Sequence, residues 1–187
     1  MDVLRSRHLC AAVLLSLAAG AVLRAQPVPH PAASGEYDVK AAFVLNFVRF
    51  VDWPARAFAT ESSPLVICVL EPNPFGKVLD ALVAGEIVAG HPVTVRVTSP
   101  SEPLGACHVV FVPREQATKA TSVIGSTTNA PVLTVSEVPM FIEGGGIINL
   151  VTAGERVRFE INAGAAEKKG ITISSRLLAL AKNVRKQ

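Results

Sequence analysis

The stretch 65-LVICVLEPNPFGKVLDALV-83 carries the strongest fold signal in this chain of 187 residues. It opens with six consecutive apolar residues, Leu65–Leu70, whose length and composition predict a buried strand. The turn residues Pro72-Asn73-Pro74 follow, and residues from Phe75 to Val83 are predicted to form a helix. A strand that leads through a turn into a helix is the unit from which parallel α/β sheets are built.

The rest of the chain continues this alternation of strands and helices. Val93, Val95 and Val97 alternate with polar residues, which is the period of a half-buried strand. We predict helices at residues 36–53, 75–83, 114–124, 163–169 and 175–184, and strands at residues 65–70, 93–98, 107–112, 132–135, 147–151 and 156–161. The predicted fold class is α/β: a single domain with a mixed, mostly parallel sheet flanked by helices, and one late β-hairpin.

The first 25 residues have the three-part pattern of a secretory signal peptide. Arg5 and Arg7 precede an apolar segment, and small residues offer cleavage after Ala21 or Ala25. Residues 26–35 are rich in proline and are predicted to form a linker, which leaves residues 36–187 as the folded domain. We expect an exported, periplasmic protein without stable membrane insertion; an uncleaved N-terminal anchor is the alternative.

The charge of the chain argues against a nucleic-acid partner. The whole sequence has 18 basic and 15 acidic residues, which gives a formal net charge of +3. The predicted signal peptide holds Arg5, Arg7 and Arg24 against Asp2, so the remaining 15 basic and 14 acidic residues leave only +1. Nucleic-acid binding domains concentrate an excess of basic residues, and this domain is nearly neutral.

The cysteines predict one disulfide in the mature protein. Cys10 lies in the signal peptide, so Cys68 and Cys107 remain, an even number in an exported chain. Both lie in predicted strands, and a bridge between neighbouring strands is geometrically feasible. The alternative is a pair of buried free thiols that pack as small apolar side chains.

One group of candidate binding residues lies on the predicted helix 36–53. Asn46, Arg49, Phe50 and Trp53 have the spacing of residues on one helical face. An amide, a guanidinium and two rings suit recognition of a partner protein or of an aromatic or anionic ligand. The alternative is that the phenylalanines fill the core while Arg49 pairs with Asp52 or stays solvated.

A second group of candidates lies near the C-terminus. Arg156, Arg158 and Glu160 share the charged face of the predicted strand 156–161, and Arg176 follows the predicted cap of the last helix. These residues are candidates for a partner or anion site, and a solvated sheet face is the alternative.

Signals for catalysis are weak in this sequence. His30, His91 and His108 lack the spacing of a metal site, and no metal or cofactor is expected. The sequence has no G-x-S-x-G nucleophile elbow and no phosphate-binding loop. Gly144-Gly145-Gly146 precedes a predicted strand instead of a helix, so it lacks the helix terminus that would hold a phosphate. We therefore predict a protein that is not an enzyme.

Several segments, in this order along the chain, resemble the YfiR family of periplasmic proteins. The resemblance extends from Tyr37 to about Lys182. The matching segments are Tyr37-Asp38-Val39-Lys40-Ala41-Ala42-Phe43, Asn46-Phe47-Val48-Arg49-Phe50-Val51-Asp52-Trp53-Pro54, Ile67-Cys68-Val69-Leu70, Pro74-Phe75-Gly76, Cys107-His108-Val109-Val110-Phe111, Gly145-Gly146-Ile147-Ile148-Asn149-Leu150, Val157-Arg158-Phe159-Glu160-Ile161-Asn162 and Ile173-Ser174-Ser175-Arg176-Leu177-Leu178.

The resemblance implies a small α/β periplasmic regulator, often dimeric, that is not an enzyme. Its expected partner is the periplasmic sensor domain of an inner-membrane signalling enzyme, a diguanylate cyclase of the YfiN type, which it would hold inactive; biofilm behaviour would follow. Cys68 and Cys107 match the family's disulfide pair, whereas a second cysteine pair of some members has no counterpart. The alternative function is a periplasmic small-ligand-binding protein that serves an envelope receptor or transporter.

Overall fold

The computed structural model describes residues 31–154 and 156–186. These residues form five α-helices, ten β-strands and two short 3-10 segments. The helices are α1 (Pro31–Arg49), α2 (Val78–Val83), α3 (Ala120–Ser126), α4 (Ala163–Lys168) and α5 (Ser175–Leu180). The strands are β1 (Val51–Asp52), β2 (Leu65–Leu70), β3 (Ile87–Val88), β4 (His91–Thr98), β5 (Val109–Val112), β6 (Leu133–Ser136), β7 (Ile148–Ala153), β8 (Arg156–Asn162), β9 (Thr172–Ile173) and β10 (Asn183–Arg185). The 3-10 segments are Ala55–Ala57 and Arg114–Lys119.

Eight of these strands form one mixed sheet in the order β10-β8-β7-β6-β5-β2-β4-β3. The central strands β4, β2, β5, β6 and β7 are parallel, and β7 and β8 form the antiparallel hairpin. β10 adds to the sheet edge parallel to β8, while β1 and β9 pair separately. The predicted α/β class, the mostly parallel sheet and the late hairpin are confirmed.

The sheet is covered on both faces. Side chains of its central strands therefore alternate between two cores. On β2, Ile67 and Val69 enter the core that is shared with α1, α2, α4 and α5. Cys68 and Leu70 enter the opposite core, which contains Ala120 and Val123 of α3. A strand buried on both faces requires a continuous apolar sequence, which explains why Leu65–Leu70 contains no polar residue.

The predicted disulfide is present between Cys68 on β2 and Cys107, which lies just before β5. The S–S distance is 2.02 Å and the two Cα atoms are 5.8 Å apart. Both cysteines are buried in the α3-side core. The guanidinium of Arg96 on β4 lies 3.4 Å from Sγ of Cys68 and 3.3 Å from Sγ of Cys107. The bridge therefore joins two adjacent parallel strands beneath an arginine side chain.

The chain departs from the predicted elements at its C-terminus. The last helix was expected to continue through Val184, but α5 ends at Leu180 and the chain extends into β10. The Lys182 amide donates to the carbonyl of Phe159 (2.8 Å), and Val184 aligns with Ile161 of β8. Pairing with the open edge of β8 satisfies backbone groups that a longer helix would have bonded internally. The prediction that the last helix continues through Val184 was therefore wrong.

Three other helices also differ from the prediction at their boundaries, and α2 begins at Val78 instead of Phe75. α1 begins at Pro31, so the last five residues of the predicted linker are helical, and it ends at Arg49 instead of Trp53. The predicted helix 114–124 is a 3-10 segment up to Lys119, and α3 begins only at Ala120.

The predicted signal peptide, residues 1–25, and linker residues 26–30 lie outside the described residues. Among the helices that the structure describes, none is both long and apolar enough to cross a bilayer.

Candidate functional site

An open groove runs between the N-terminal half of α1 and the β7–β8 hairpin. Its volume is about 880 Å³. Val39 and Phe43 of α1 form one wall, and Val157 and Phe159 of β8 form the other, with Leu180 at the end of α5. We call this feature the α1–hairpin groove.

The walls of the α1–hairpin groove meet at its floor in an aromatic cluster. Phe159 of β8 packs edge-on against Phe43 and Phe47 of α1, with ring centroids 5.6 and 5.2 Å apart. Above this floor, Val39 is 46% exposed and Leu180 is 66% exposed. Exposed apolar side chains on a preformed apolar floor are the features of a protein-docking surface.

The rim of the α1–hairpin groove is positively charged on the hairpin side. Arg156 and Arg158 line it, and neither has a carboxylate within ion-pair distance among the described residues. On the opposite side, Glu36 is neutralised by Lys40 at 2.5 Å and accepts a hydrogen bond from Thr152. The hydrogen bond from Lys40 lowers the pKa of Glu36. The available charge on this rim is therefore that of the two arginines.

A second groove, of about 640 Å³, lies on the other side of the hairpin. Thr152 lines both grooves, so they meet at the end of β7. Met140 projects at this second groove and is 68% exposed, beside Val151 and Arg114. Met140 also has a left-handed backbone, with φ of +60°. A strained, exposed apolar residue is a marker of a functional contact, so we include Met140 in the candidate surface.

The loop that carries Met140 is held firmly on both sides of it. Phe141 is buried against Gly146, where an added Cβ would lie 2.2 Å from the phenyl ring. The side-chain amide of Asn162 donates to the carbonyl of Ile142 (3.1 Å). Asn149, with its amide nitrogen turned toward the loop, donates to the carbonyls of Ser136 and Val138 at 3.1 Å each. The backbone at Met140 is therefore held in place, which lowers the entropic cost of contact with a partner.

The carboxyl end of the parallel sheet, where α/β domains often bind ligands, contains a polar cluster around Glu137. Oε1 of Glu137 accepts from the hydroxyl of Tyr37 (2.8 Å) and from the amide of Arg114 (3.3 Å). Oε2 pairs with Lys40 and with the Arg114 guanidinium (3.2 Å). Burial and the Glu137 carboxylate raise the pKa of Tyr37. This cluster joins α1 to the end of β6, and we assign it a structural role.

The predicted binding face of α1 is divided by the early end of the helix. Asn46 and Arg49 are exposed, and Arg49 pairs with Glu86 at 2.7 Å, not with Asp52. Phe50 packs partly buried against the main core. Its carbonyl accepts from the amide of Ser174 (3.0 Å), which brings Arg176 to the same end of α1. Along α1, Asn46 lies three residues after Phe43 of the α1–hairpin groove, which is less than one turn, and Arg49 lies six residues after it, which is less than two turns.

Trp53 does not share that helical face, because the chain has already left the helix. Val51 pairs with Ile173 in the two-stranded sheet of β1 and β9. Trp53 is partly buried, and its indole Nε1 donates to the carbonyl of His108 at 3.3 Å. The prediction that Trp53 lies beside Asn46 and Arg49 on one helix was therefore wrong.

Of the C-terminal candidates, Arg158 lies at the α1–hairpin groove and Glu160 at the second groove. Glu160 lies 3.7 Å from Lys182. Sequence reasoning missed Val39, Met140 and Leu180, because single apolar residues on amphipathic elements resemble core residues in the sequence. The flanking arginines on β8 were the one signal that pointed to this side of the sheet.

The chain forms a small α/β domain with two open grooves beside its late hairpin. A family model described as YfiR/HmsC-like matches residues 37–182, so the chain belongs to the YfiR/HmsC-like family. This is a family of periplasmic regulatory proteins.

A solved structure is similar to the chain at the level of the fold. A conserved domain protein from Vibrio cholerae O1 biovar eltor has a TM-score of 0.56 at 13% identity, covering 80% of this chain. This chain matches 60% of that protein's length. An ABC domain in complex with L-Trp from Streptococcus pneumonia has a TM-score of 0.47 at 17% identity, covering 64% of this chain and 55% of that one. The search of curated proteins found no match.

Proposed function

We propose that this protein is a negative regulator of an inner-membrane diguanylate cyclase, and that it binds the cyclase's periplasmic sensor domain. Binding stabilises the inactive state of the cyclase, because a ligand shifts an equilibrium toward the state that it binds more tightly. Family membership supports the regulatory role, and the α1–hairpin groove is the observation that carries the binding role.

The groove suits a partner segment that combines apolar side chains with carboxylates. Val39, Phe43 and Leu180 offer apolar contacts, and Arg156 and Arg158, which form no ion pair with any other described residue, attract negative charge. Apolar anchors at the centre of an interface supply most of its affinity, whereas charges at the rim mainly increase the rate of association. Replacement of an apolar wall residue should therefore affect binding more than replacement of a rim arginine.

The test is complementation in the native host, with cyclic-di-GMP as the readout. Deletion of the gene should raise cellular cyclic-di-GMP, and the wild-type gene should restore the basal level. Leu180→Glu should fail to restore it and should weaken binding to the purified sensor domain about tenfold or more, because a charge would be buried in the groove. Met140→Ala tests the second groove in the same assay.

Ile87→Glu is the matched control for Leu180→Glu. Ile87 is 66% exposed, as Leu180 is, but it lies on β3 at the opposite edge of the sheet. This variant should restore repression fully. A photo-crosslinking residue at position 180 should capture a membrane protein with a cyclase domain. Capture of no membrane signalling protein, or equal failure of Ile87→Glu, would contradict the proposal.

A further inference from the structure

His108 occupies a central position at the start of β5. Its backbone amide donates to the carbonyl of Val66 on β2 (2.9 Å), and its carbonyl accepts from the amide of Leu133 on β6 (2.8 Å). The same carbonyl accepts from the indole of Trp53. The side chain adds a further bond, because Nδ1 of His108 accepts from the amide of Val66 (3.1 Å). One histidine thus holds the sheet to the segment that carries Trp53.

The ring of Phe58 lies between two imidazoles. Phe58 stacks on His91 of β4 with ring centroids 3.6 Å apart and an interplanar angle of 5°. On its other side it stacks on His108, at 4.4 Å and 26°. Nδ1 of His91 lies 2.7 Å from the carbonyl of Ser63. These contacts attach both ends of residues 58–63 to the sheet, and we call the three stacked rings the histidine sandwich.

The hydrogen bonds fix the proton on His108. A ring nitrogen that accepts from an amide carries no proton, so neutral His108 has its proton on Nε2. Nε2 is buried and has no hydrogen-bond partner of good geometry among the described residues. A second proton must therefore go to Nδ1, where it would face the amide proton of Val66. Protonation replaces a buried hydrogen bond with a contact between two donors.

The surroundings of His108 also disfavour a positive charge. Burial is the largest cause that lowers its pKa, the charge of His91 lowers it further, and the backbone of Ala57 acts in the opposite direction. His91 on β4 is the titratable group that faces His108; Trp53, Phe58 and Val66 are uncharged. No described carboxylate forms an ion pair with either histidine.

We propose that the histidine sandwich is an acid-sensitive latch that holds residues 53–63 against the sheet, and that protonation of His108 releases this segment. The periplasm follows the pH of the medium, so the latch would report external acidification. The latch is independent of the proposed cyclase partner, because it rests on contacts within this chain.

Trp53 is the sole tryptophan of the sequence, so its fluorescence reports directly on the latch. The purified protein should show a red shift of emission and greater quenching by iodide as the pH falls, with a midpoint below 6.5, the ordinary value for histidine. His108→Asn retains an acceptor for the Val66 amide but does not titrate, so its emission should stay constant between pH 7.5 and 4.5.

His91→Asn is a second variant, which removes one ring of the sandwich and its contact with the Ser63 carbonyl but leaves His108 able to titrate. It removes the like charge that opposes protonation of His108, so the transition should remain and move to higher pH. If His108→Asn does not fold, nitrogen NMR of the wild-type protein replaces it. Nδ1 of His108 should be unprotonated at pH 7.5. As the pH falls, protonation of Nδ1 should coincide with loss of hydrogen-exchange protection at the Val66 amide. A transition retained in His108→Asn, a wild-type emission that is flat over this range, or protonated Nδ1 at pH 7.5 would overturn the proposal.

Discussion

Lys169 is a cationic side chain that is almost completely removed from water, at 8% exposure. Its Nζ donates to the carbonyl and the hydroxyl of Thr127 (2.8 and 2.9 Å) and to the carbonyl of Val132 (3.4 Å). All three acceptors are neutral, and burial lowers the pKa of Lys169 to about 8. The side chain satisfies carbonyls at the end of α3 but carries a desolvation cost while it is charged.

The depressed pKa predicts a rise in stability with pH. The unfolded chain binds the lysine proton up to its ordinary pKa of 10.5, while the folded chain loses it from about pH 8. The free energy of unfolding should therefore increase by about 2 kcal/mol between pH 7 and 9.5 relative to Lys169→Met, measured by urea denaturation. This pH range ends below 10 to avoid the titration of Tyr37, whose pKa is raised in the folded chain. Above pH 10 the unfolded chain would lose the Tyr37 proton first, which would lower the free energy of unfolding. Parallel pH profiles for the two proteins would contradict the prediction.

A buried ion pair, together with the apolar face of the helix, holds helix α1 against the rest of the domain. Lys40 and Glu137 are both about 1% exposed at their side chains, and Arg114 and Tyr37 complete the bonds to the carboxylate. The α1–hairpin groove depends on this arrangement, because Val39 and Phe43 lie on the same part of α1.

Removal of one partner of this ion pair should loosen α1. Glu137→Gln leaves the buried ammonium of Lys40 with only the half-exposed Glu36, so we expect a loss of about 3 kcal/mol in the free energy of unfolding. The double variant Lys40→Met with Glu137→Gln should recover part of this loss, because it leaves no unpaired buried charge. Urea denaturation checks both values, and additive effects of the two substitutions would contradict a coupled pair.

The late elements show where local pattern and tertiary context disagree. The cap at Ser174, whose hydroxyl accepts from the Leu177 amide, starts α5 as predicted. The end of α5 is set by a different cause: the edge of β8 offers free backbone groups, and β10 pairs with them. The periodicity of apolar residues cannot predict where α5 ends, because β8, the strand that pairs with β10, lies about 20 residues away in sequence.

The disulfide acts at the scale of the whole molecule, since it closes a loop of 39 residues that contains α2, β3 and β4. In the chain-entropy model a loop of this length contributes about 4 kcal/mol by restricting the unfolded chain. The double variant Cys68→Ala, Cys107→Ala should lose about this amount in guanidinium denaturation under oxidising conditions. Its control is the wild-type protein unfolded with a reductant, which should approach the same midpoint. A loss below about 1 kcal/mol would show that the bridge constrains the unfolded chain little.

The sequence by itself determined the fold class, the disulfide partners and the family. The apolar run Leu65–Leu70 predicted a buried strand, and Cys68 and Cys107 in predicted strands favoured a bridge over two buried thiols; the structure confirms both predictions. These conclusions depend on local composition and on short periods, which the sequence displays directly.

Tertiary structure alone decided which apolar residues remain exposed. Val39, Met140 and Leu180 resemble core residues in the sequence, and their exposure depends on where α1, the Met140 loop and α5 meet the hairpin. The same holds for the histidine sandwich, in which His91, His108 and Phe58 come from three separate segments. Contacts between residues distant in sequence depend on the packing of whole elements, and the local pattern of one chain does not specify that packing.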